Sequence, residues 1–470
     1  MRDEGVGGRG LQWPETAVRE ALTLPSAKAA EPVTFSGIST DSRALQPGAL
    51  FVALEGERYD GHDYLAAAVA AGATAAVVRK GTPSLRGLIL FEVDDTLWAF
   101  GLLARARRRM LKGPVVAVTG TNGKTSTKEM LAAVLRTRHV THATRANLNN
   151  LVGVPLTILE AAPETEALIV EAGANRPGEI ARYREIIEPS VTIVTNAVAG
   201  HLEGFGSLAG VVEEKLSLTE GVPLAIVGIE PPGLAAGARR RAREVRTAGL
   251  LDADLTPDRV SLDDSARPVI TIGGTTFVLA ARGLHQADNA VRVWAVVEAL
   301  GLDRAAAARA LEGFSIPGGR GDLLQEGALT ILNDCYNANP QSFRAAIATA
   351  TAIRAGRRLV FVAGTMRELG KDSDALHREV AQALLELRPD LLAAVGEFVP
   401  ALEPHTDTLG DRLLTAADPL ALAPLLAERL RGDEIVVLKA SRGVALERIL
   451  PTLAARAKNR GAPPAPLRSH

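Results

Sequence analysis

Gly120-Thr121-Asn122-Gly123-Lys124-Thr125 stands between an apolar run over 115–118 and a helical pattern over 127–136. Residues of these types at this spacing bind phosphate. A glycine-rich turn frees backbone N–H groups, the helix behind it adds the positive end of its dipole, and Lys124 adds a full charge. Thr125 offers a hydroxyl where a phosphate-bound magnesium would sit. The longer G-x-x-x-x-G-K-[ST] spacing would need glycine where Val118 stands, so this is a shortened G-x-x-G-K-T form. The plain alternative is a strand–turn–helix connection with a surface lysine. The buried-type strand before the turn and the polar helix start after it favour a nucleoside triphosphate site.

Other chemistry-bearing residues follow other apolar runs. Glu171 leaves the run over 167–170, where a carboxylate beside a phosphate loop can hold Mg2+ or simply cap a helix. His201 lies in a glycine-rich loop, residues 199–207, after the run over 191–194. A lone histidine is more often structural than a ligand. Lys215 falls on a helix over 208–218 and by itself reads as solvated. Asn196-Ala197-Val198 lacks the Lys and Asp of a guanine-reading N-K-x-D string, which counts against a GTPase switch. The amides of Asn147-Leu148-Asn149-Asn150 either bind substrate or close turns. Residues 333–340 carry Asp334 and several amides, which suit a ribose or a peptide-like ligand. Cys335 has no evident base beside it and does not read as a nucleophile. Lys439-Ala440-Ser441-Arg442 follows the last strand and suits a carboxylate.

The elements that must position these groups fall into three regions. Over 1–113, strand patterns at 32–38, 48–54 and 74–78 and helices at 64–72 and 97–111 alternate. The last helix ends in Arg105, Arg107, Arg108 and Arg109, read as complements of its own C-terminus. Over 114–315, apolar strands at 115–118, 167–170, 191–194 and 224–227 alternate with helices at 127–136 and 177–187. A β-rich patch over 269–280 and a helix over 289–300 follow. Over 316–470, strands at 359–363, 391–395 and 435–438 are separated by Ala- and Leu-rich helices, and 456–470 reads as a frayed tail. Such alternation predicts α/β domains with mostly parallel sheets covered on both faces, and ligands beyond the carboxyl ends of their strands.

Bulk properties bound the rest. The 470 residues are 47% apolar, enough for two to four cored domains. A net charge of −1 argues against nucleic acid or an anionic membrane as partner. No apolar run approaches ~18–20 residues, so no membrane insertion is expected. The first ten residues lack a signal-type apolar stretch, so a cytoplasmic location is expected. A single cysteine excludes an intramolecular disulfide. A monomer is the expectation for the assembly.

Together these strings resemble the Mur ligases, the ATP-dependent amide-forming enzymes of peptidoglycan precursor synthesis, from Ser39 to about Glu447. Ser39-Thr40-Asp41-Ser42-Arg43, Pro47-Gly48 and Asp60-Gly61-His62 look like the family's uridine-nucleotide domain, and Gly120 to Thr125 like its phosphate loop. The resemblance implies a small α/β UDP-substrate domain over 1–113. A central ATPase domain over 114–315 and a C-terminal doubly wound, Rossmann-like domain over 316–470 would follow. It implies that Gly120, Thr121, Asn122, Gly123, Lys124, Thr125 and Ser126 cradle ATP, with Asn289 at adenine, Asp334 at ribose and Arg320 on the phosphate side. It also implies two Mg2+, one held by Thr125 and Glu171, the other by His201 and a carbamylated Lys215. A carbamate turns a cation into an oxygen ligand suited to Mg2+, and forms only on a neutral amine. Lys124, Lys215 and His201 would be the catalytic set. Ser39, Asp41, Ser42, Arg43, Asn147, Asn149, Asn150, Tyr336, Asn337 and Asn339 would face the substrates.

Within the family, three strings look most like the branch that joins D-alanyl-D-alanine to UDP-N-acetylmuramoyl-tripeptide. They are Asn147 to Asn150 with Gly153-Val154-Pro155, His201 to Ser207, and Asp334 to Pro340. The Asp-Asn-Pro-Arg string of the tripeptide-forming branch is replaced by Gly364-Thr365-Met366-Arg367-Glu368-Leu369-Gly370. Thr365, Gln286, Cys335 and Ala440 depart from the family's usual acid, Asn, Ser and Gly. The implied chemistry is an acyl phosphate made from the tripeptide carboxylate and ATP, then attacked by the dipeptide amine, with the domains closing on ATP to exclude water. The third residue of the peptide, meso-diaminopimelate or lysine, is left open. Another Mur ligase adding one amino acid, a folylpolyglutamate-type ligase, and a non-catalytic nucleotide switch are the competing readings.

Overall fold

A computed structural model describes residues 11–26, 33–56 and 59–460. The first sheet is parallel, in the order Ile38–Ser39, Leu50–Val52, Ala75–Arg79, Ile89–Val93. Thr40 to Arg43 therefore leave its carboxyl edge. The opening ten residues and 461–470 lie outside the described residues.

The central sheet decides where chemistry can occur. Its six parallel strands run Glu244–Thr247, Leu224–Val227, Val191–Val194, Val115–Thr119, Ala167–Glu171, Thr141–Ala143. All five residues of Val115–Thr119 are buried, which is why the run is apolar without alternation. On one face Met130, Leu131 and Val134 of helix Lys124–Leu135 pack with Val293 and Trp294 of helix Leu284–Ala299. On the other, Phe100 and Leu103 of helix Thr96–Met110 join a core with Ile180 and Tyr183. After Val115–Thr119 the chain fills strands on one side and then crosses to the other. The phosphate-loop strand thus lies at the reversal of strand order, where open α/β sheets bind ligands.

The β-rich patch is an antiparallel trio, Arg259–Leu262, Pro268–Ile272 and Thr275–Val278. Helix Leu284–Ala299 starts at 284, not 289, because polar residues in its first turn hide the apolar period. The C-terminal sheet runs Asp322–Glu326, Leu329–Asp334, Ile435–Lys439, Leu359–Ala363, Leu391–Val395, Leu413–Ala416. Five strands are parallel and only the edge strand Asp322–Glu326 is antiparallel. Separate apolar cores cover its two faces, as a doubly wound sheet requires. Helix Leu450–Arg460 runs into the stretch expected to fray, because Leu453 and Ala457 are buried against this sheet.

The arginine-rich end of helix Thr96–Met110 serves that helix only through Arg108 Nη1, which donates to Leu111 O (3.4 Å). Arg107 donates to Ala161 O (2.9 Å) and Ala162 O (2.8 Å), just past helix Gly153–Leu159. Arg108 donates to Ile187 O (2.7 Å) and Glu188 O (2.8 Å), at the end of helix Glu179–Ile187. Arg108 thus satisfies carbonyls at the end of one neighbouring helix, and Arg107 pins the chain just past the end of another. Arg105 and Arg109 hold the Glu188 carboxylate. Because buried Arg107 makes charge-assisted bonds, Arg107→Ala should cost about 2–4 kcal/mol, read as a lower urea midpoint of the full chain.

Candidate active site

The turn after Val115–Thr119 is shaped by contacts behind it. Gly120 has φ +144°, and a Cβ there would lie 1.9 Å from Thr195 Oγ1. Gly123 has φ +80°, with Asn289 Oδ1 2.5 Å from where a Cβ would sit. Only glycine fits either place. The Thr195 hydroxyl donates to Asn122 O (2.6 Å), and Thr121 N–H donates to Asn196 O (3.0 Å). Lys124 Nζ donates to Gly120 O (2.7 Å) and Thr121 O (3.0 Å). Desolvation lowers its pKa, opposed by Glu171 and helped by Arg320.

The groups with metal-ligand chemistry converge beside this turn. Thr125 Oγ1 donates to Glu171 Oε1 (3.2 Å), and Asn149 Nδ2 donates to the same oxygen (2.8 Å). Glu171 Oε2 is buried with no hydrogen-bond partner. Lys215 is fully buried, its Nζ has no partner, and it faces the Phe205 ring at 5.4 Å. Burial, reinforced by Lys124, pushes the Lys215 ammonium down to about 7. An orphaned carboxylate oxygen and an orphaned, readily deprotonated amine are the donors that a carbamate-supported Mg2+ site requires. His201 has φ +56°, a left-handed conformation uncommon outside glycine, and its Nδ1 lies against the carboxylate of Glu368. His201 in turn holds the Glu368 carboxyl below the usual range.

The C-terminal sheet supplies the opposite wall. Its register sets Asp334 beside Lys439, joined at 2.7 Å, and Lys439 Nζ also donates to Asn337 O (2.7 Å). Arg320 stacks on Tyr336 with its guanidinium carbon 3.6 Å from the ring centroid. Asn289 Nδ2 donates to Gln286 Oε1 (3.1 Å), and Gln286 Nε2 donates to Ser126 Oγ (3.3 Å). Gln286 thus ties helix Leu284–Ala299 to the phosphate-loop helix. Thr121 to Ser126, Asn149, Asn150, Glu171, His201, Gln286, Asn289, Arg320, Asp334, Tyr336, Asn337 and Lys439 line one cavity of about 580 Å3.

Some expected site residues lie elsewhere. Asn147 is exposed and does not line the cavity. Asn150 does line the cavity, but its Oδ1 accepts from Gly153 N–H (2.8 Å) and so also shapes the start of a helix. Asn339 is the N-cap of helix Pro340–Ile353, in a reciprocal capping box with Ser342. Ser39, Asp41, Ser42 and Arg43 form their own turn on the first sheet, where Asp41 holds Arg43 through Nε (2.9 Å) and Nη2 (2.7 Å). Asp60 and His62 pair nearby at 2.6 Å. Thr365 spends its hydroxyl accepting from Glu397 N–H (3.0 Å), so the departure there stiffens a turn. Cys335 is buried and its thiol is pushed up by burial, as unsuited to attack as expected. Glu230, Gln341 and Glu368, which bridge the two walls, carried no signal in the sequence because single polar residues at a helix start or loop are ordinary surface residues.

Known proteins share this arrangement. Models of the Mur ligase family match residues 34–87 (catalytic domain), 118–297 (middle domain) and 319–442 (glutamate ligase domain). UDP-N-acetylmuramoyl-tripeptide–D-alanyl-D-alanine ligase of Escherichia coli is 34% identical over 433 residues, covering 90% of this chain and 94% of that protein. MurF of Acinetobacter baumannii superposes with a TM-score of 0.84 at 28% identity, over 95% of this chain and 99% of that one. MurF ligase of Thermotoga maritima, solved in complex with ADP, gives 0.79 at 28% identity over 90% and 98%. This chain belongs to the Mur ligase family.

Proposed function

We propose that the chain joins D-alanyl-D-alanine to UDP-N-acetylmuramoyl-tripeptide, using ATP and releasing ADP and phosphate, in peptidoglycan precursor synthesis in the cytoplasm. The observation that carries this reading is one cavity in which a phosphate loop, the orphaned carboxylate oxygen of Glu171 and the Asp334–Lys439 edge of another sheet face each other. No helix among the described residues is long and apolar enough to cross a membrane.

An amine cannot displace oxide from a carboxylate. The tripeptide carboxylate therefore first attacks the γ-phosphorus of ATP, ADP leaves, and an acyl phosphate forms. The dipeptide amine then attacks the acyl carbon, the C–O bond to phosphate breaks, and the amine's proton is lost. The protein's work is positioning and charge neutralisation. The N–H groups of Gly123 and of the first residues of helix Lys124–Leu135 would hold the phosphates, since those of Thr121 and Asn122 are spent on Asn196; Lys124 meets charge developing on the γ-phosphoryl group, and Arg320 approaches from the facing wall. Asn289 and Asp334 hold adenine and ribose. Thr125 and Glu171 would hold one Mg2+, and His201 with carbamylated Lys215 another. Bound there, the ions would screen the repulsion between a carboxylate and a polyanionic phosphate. The turn at Ser39 to Arg43 would hold the uridine nucleotide, and Asn149, Tyr336 and Asn337 the reacting peptides. The three regions over 1–113, 114–315 and 316–470 would act as the three working domains.

Four results are expected. Incubation with ATP, Mg2+, UDP-N-acetylmuramoyl-tripeptide and D-alanyl-D-alanine should yield a pentapeptide product by mass; ADP release that ignores the dipeptide would refute the reading. Lys124→Ala should slow ADP release on the order of 10²–10³-fold while thermal unfolding stays near that of the parent. With ¹³C-bicarbonate, a carbamate carbon signal should appear by NMR, weaken as pH falls through about 7, and vanish in Lys215→Ala. The sign follows from the amine. Only its neutral form captures CO2, and an unperturbed lysine would be neutral in roughly one molecule per few thousand at pH 7. Short-chain carboxylates should restore part of the activity lost in Lys215→Ala, and a parent protein with no carbamate signal would remove that part of the mechanism.

A further inference from the structure

Asn122 sits in the phosphate loop, yet its side chain turns away from the loop's N–H face. Its Nδ2 donates to Gln341 Oε1 (2.7 Å) and Asn339 Oδ1 (3.2 Å), and its Oδ1 accepts from Asn339 Nδ2 (2.7 Å). Asn339 and Gln341 open helix Pro340–Ile353, which follows the Asp334 loop of the C-terminal sheet. Gln341 Nε2 also reaches the Glu230 carboxylate, back on the central side. The backbone of Asn122 is held from behind, since its N–H donates to Asn196 Oδ1 (3.0 Å) and its C=O accepts from Thr195 Oγ1 (2.6 Å). Both amide functions of the side chain are therefore spent across the interface.

We propose that Asn122 is a positioning residue, a neutral amide latch that couples the phosphate loop to the Asp334-bearing wall and closes the cavity before nucleotide arrives. The network Asn122–Asn339–Gln341–Glu230 bridges the walls at the floor of the nucleotide cavity and contains one charge only. The partners are short amides with no slack. An amide latch closes the walls without drawing on the charge of Lys124 or Arg320. Asn339 also caps its helix, so the latch and the start of that helix form together. This inference rests on reading the cavity as an ATP site for its consequence, but not for its geometry.

The test uses the full chain with Asn122→Ala and, separately, Gln341→Ala, which sits at a half-buried helix start and leaves the loop untouched. Small-angle scattering without nucleotide should give a larger radius of gyration for each variant than for the parent. Calorimetry with ADP should give a dissociation constant weakened three- to tenfold in each, and in the double variant no weaker than in Asn122→Ala. In Gln341→Ala the KM for ATP should rise while kcat is kept or raised, since release requires opening. An unchanged radius of gyration in both variants would overturn the latch. So would a loss of ADP affinity beyond a hundredfold in Asn122→Ala alone, which would make its side chain a direct phosphate ligand. If the parent protein binds no ADP, the ATP reading fails while the scattering still decides the latch.

Discussion

A phosphate-binding turn keeps its shape only if the backbone groups it turns away from the ligand, N–H and C=O alike, are satisfied from behind. Every other feature of the site follows from this requirement. Thr195 and Lys124 supply the donors, and Gly120 is the residue that lets Thr195 come close enough. Thr195 is available because Val191–Val194 pairs with Val115–Thr119 in parallel register, so both strands end at the same level. Glu171 arrives at that level from the other side, where Ala167–Glu171 pairs with the same central strand. Three strand ends at one sheet edge thus carry the loop, its support and its acid.

Charge is arranged by the same logic. A polyanion and a carboxylate can meet only where positive charge is already fixed and cheap to expose. Lys124 lies at the loop, and Arg320 is braced on Tyr336 instead of being neutralised by an acid. Lys215 is different. A buried ammonium without a partner is expensive, and the protein resolves this by favouring the neutral amine. Glu214, its neighbour, is committed to the N–H groups of Gly178 and Ile180 (2.7 Å each) and does not reach over to pair with it. The lysine is kept unpaired by an arrangement that spends the nearest carboxylate elsewhere.

Strands buried on both faces were legible because nothing but apolar residues survives there: 191–194, 224–227, 359–363 and 391–395 match the structure end to end. Edge strands were not, since Glu244–Thr247 and Asp322–Glu326 are polar on their open sides. Helix Leu284–Ala299 was found late because its first turn faces the nucleotide cavity and carries polar residues for that reason. The loop, Glu171 and Asp334 were readable from position after a strand. Lys215 was not. Its character comes from burial among side chains distant in sequence, so only the family resemblance singled it out. The arginines at 105–109 misled for a related reason: a helix end looks the same in sequence whether its cations serve it or its neighbours.

The two walls of the cavity belong to different sheets, and this division is what the chemistry demands. An acyl phosphate in water is lost to hydrolysis, so the last donors must arrive together with the exclusion of solvent. Arg320, Asp334 and Lys439 come from the C-terminal wall, whereas Lys124, Thr125 and Glu171 come from the central one. Glu368 lies against His201 across the same gap, and its backbone C=O accepts from Glu203 N–H (3.3 Å). Each wall alone holds an incomplete set of donors. Only their apposition makes a site that can activate a carboxylate, and the same apposition covers the product of that activation.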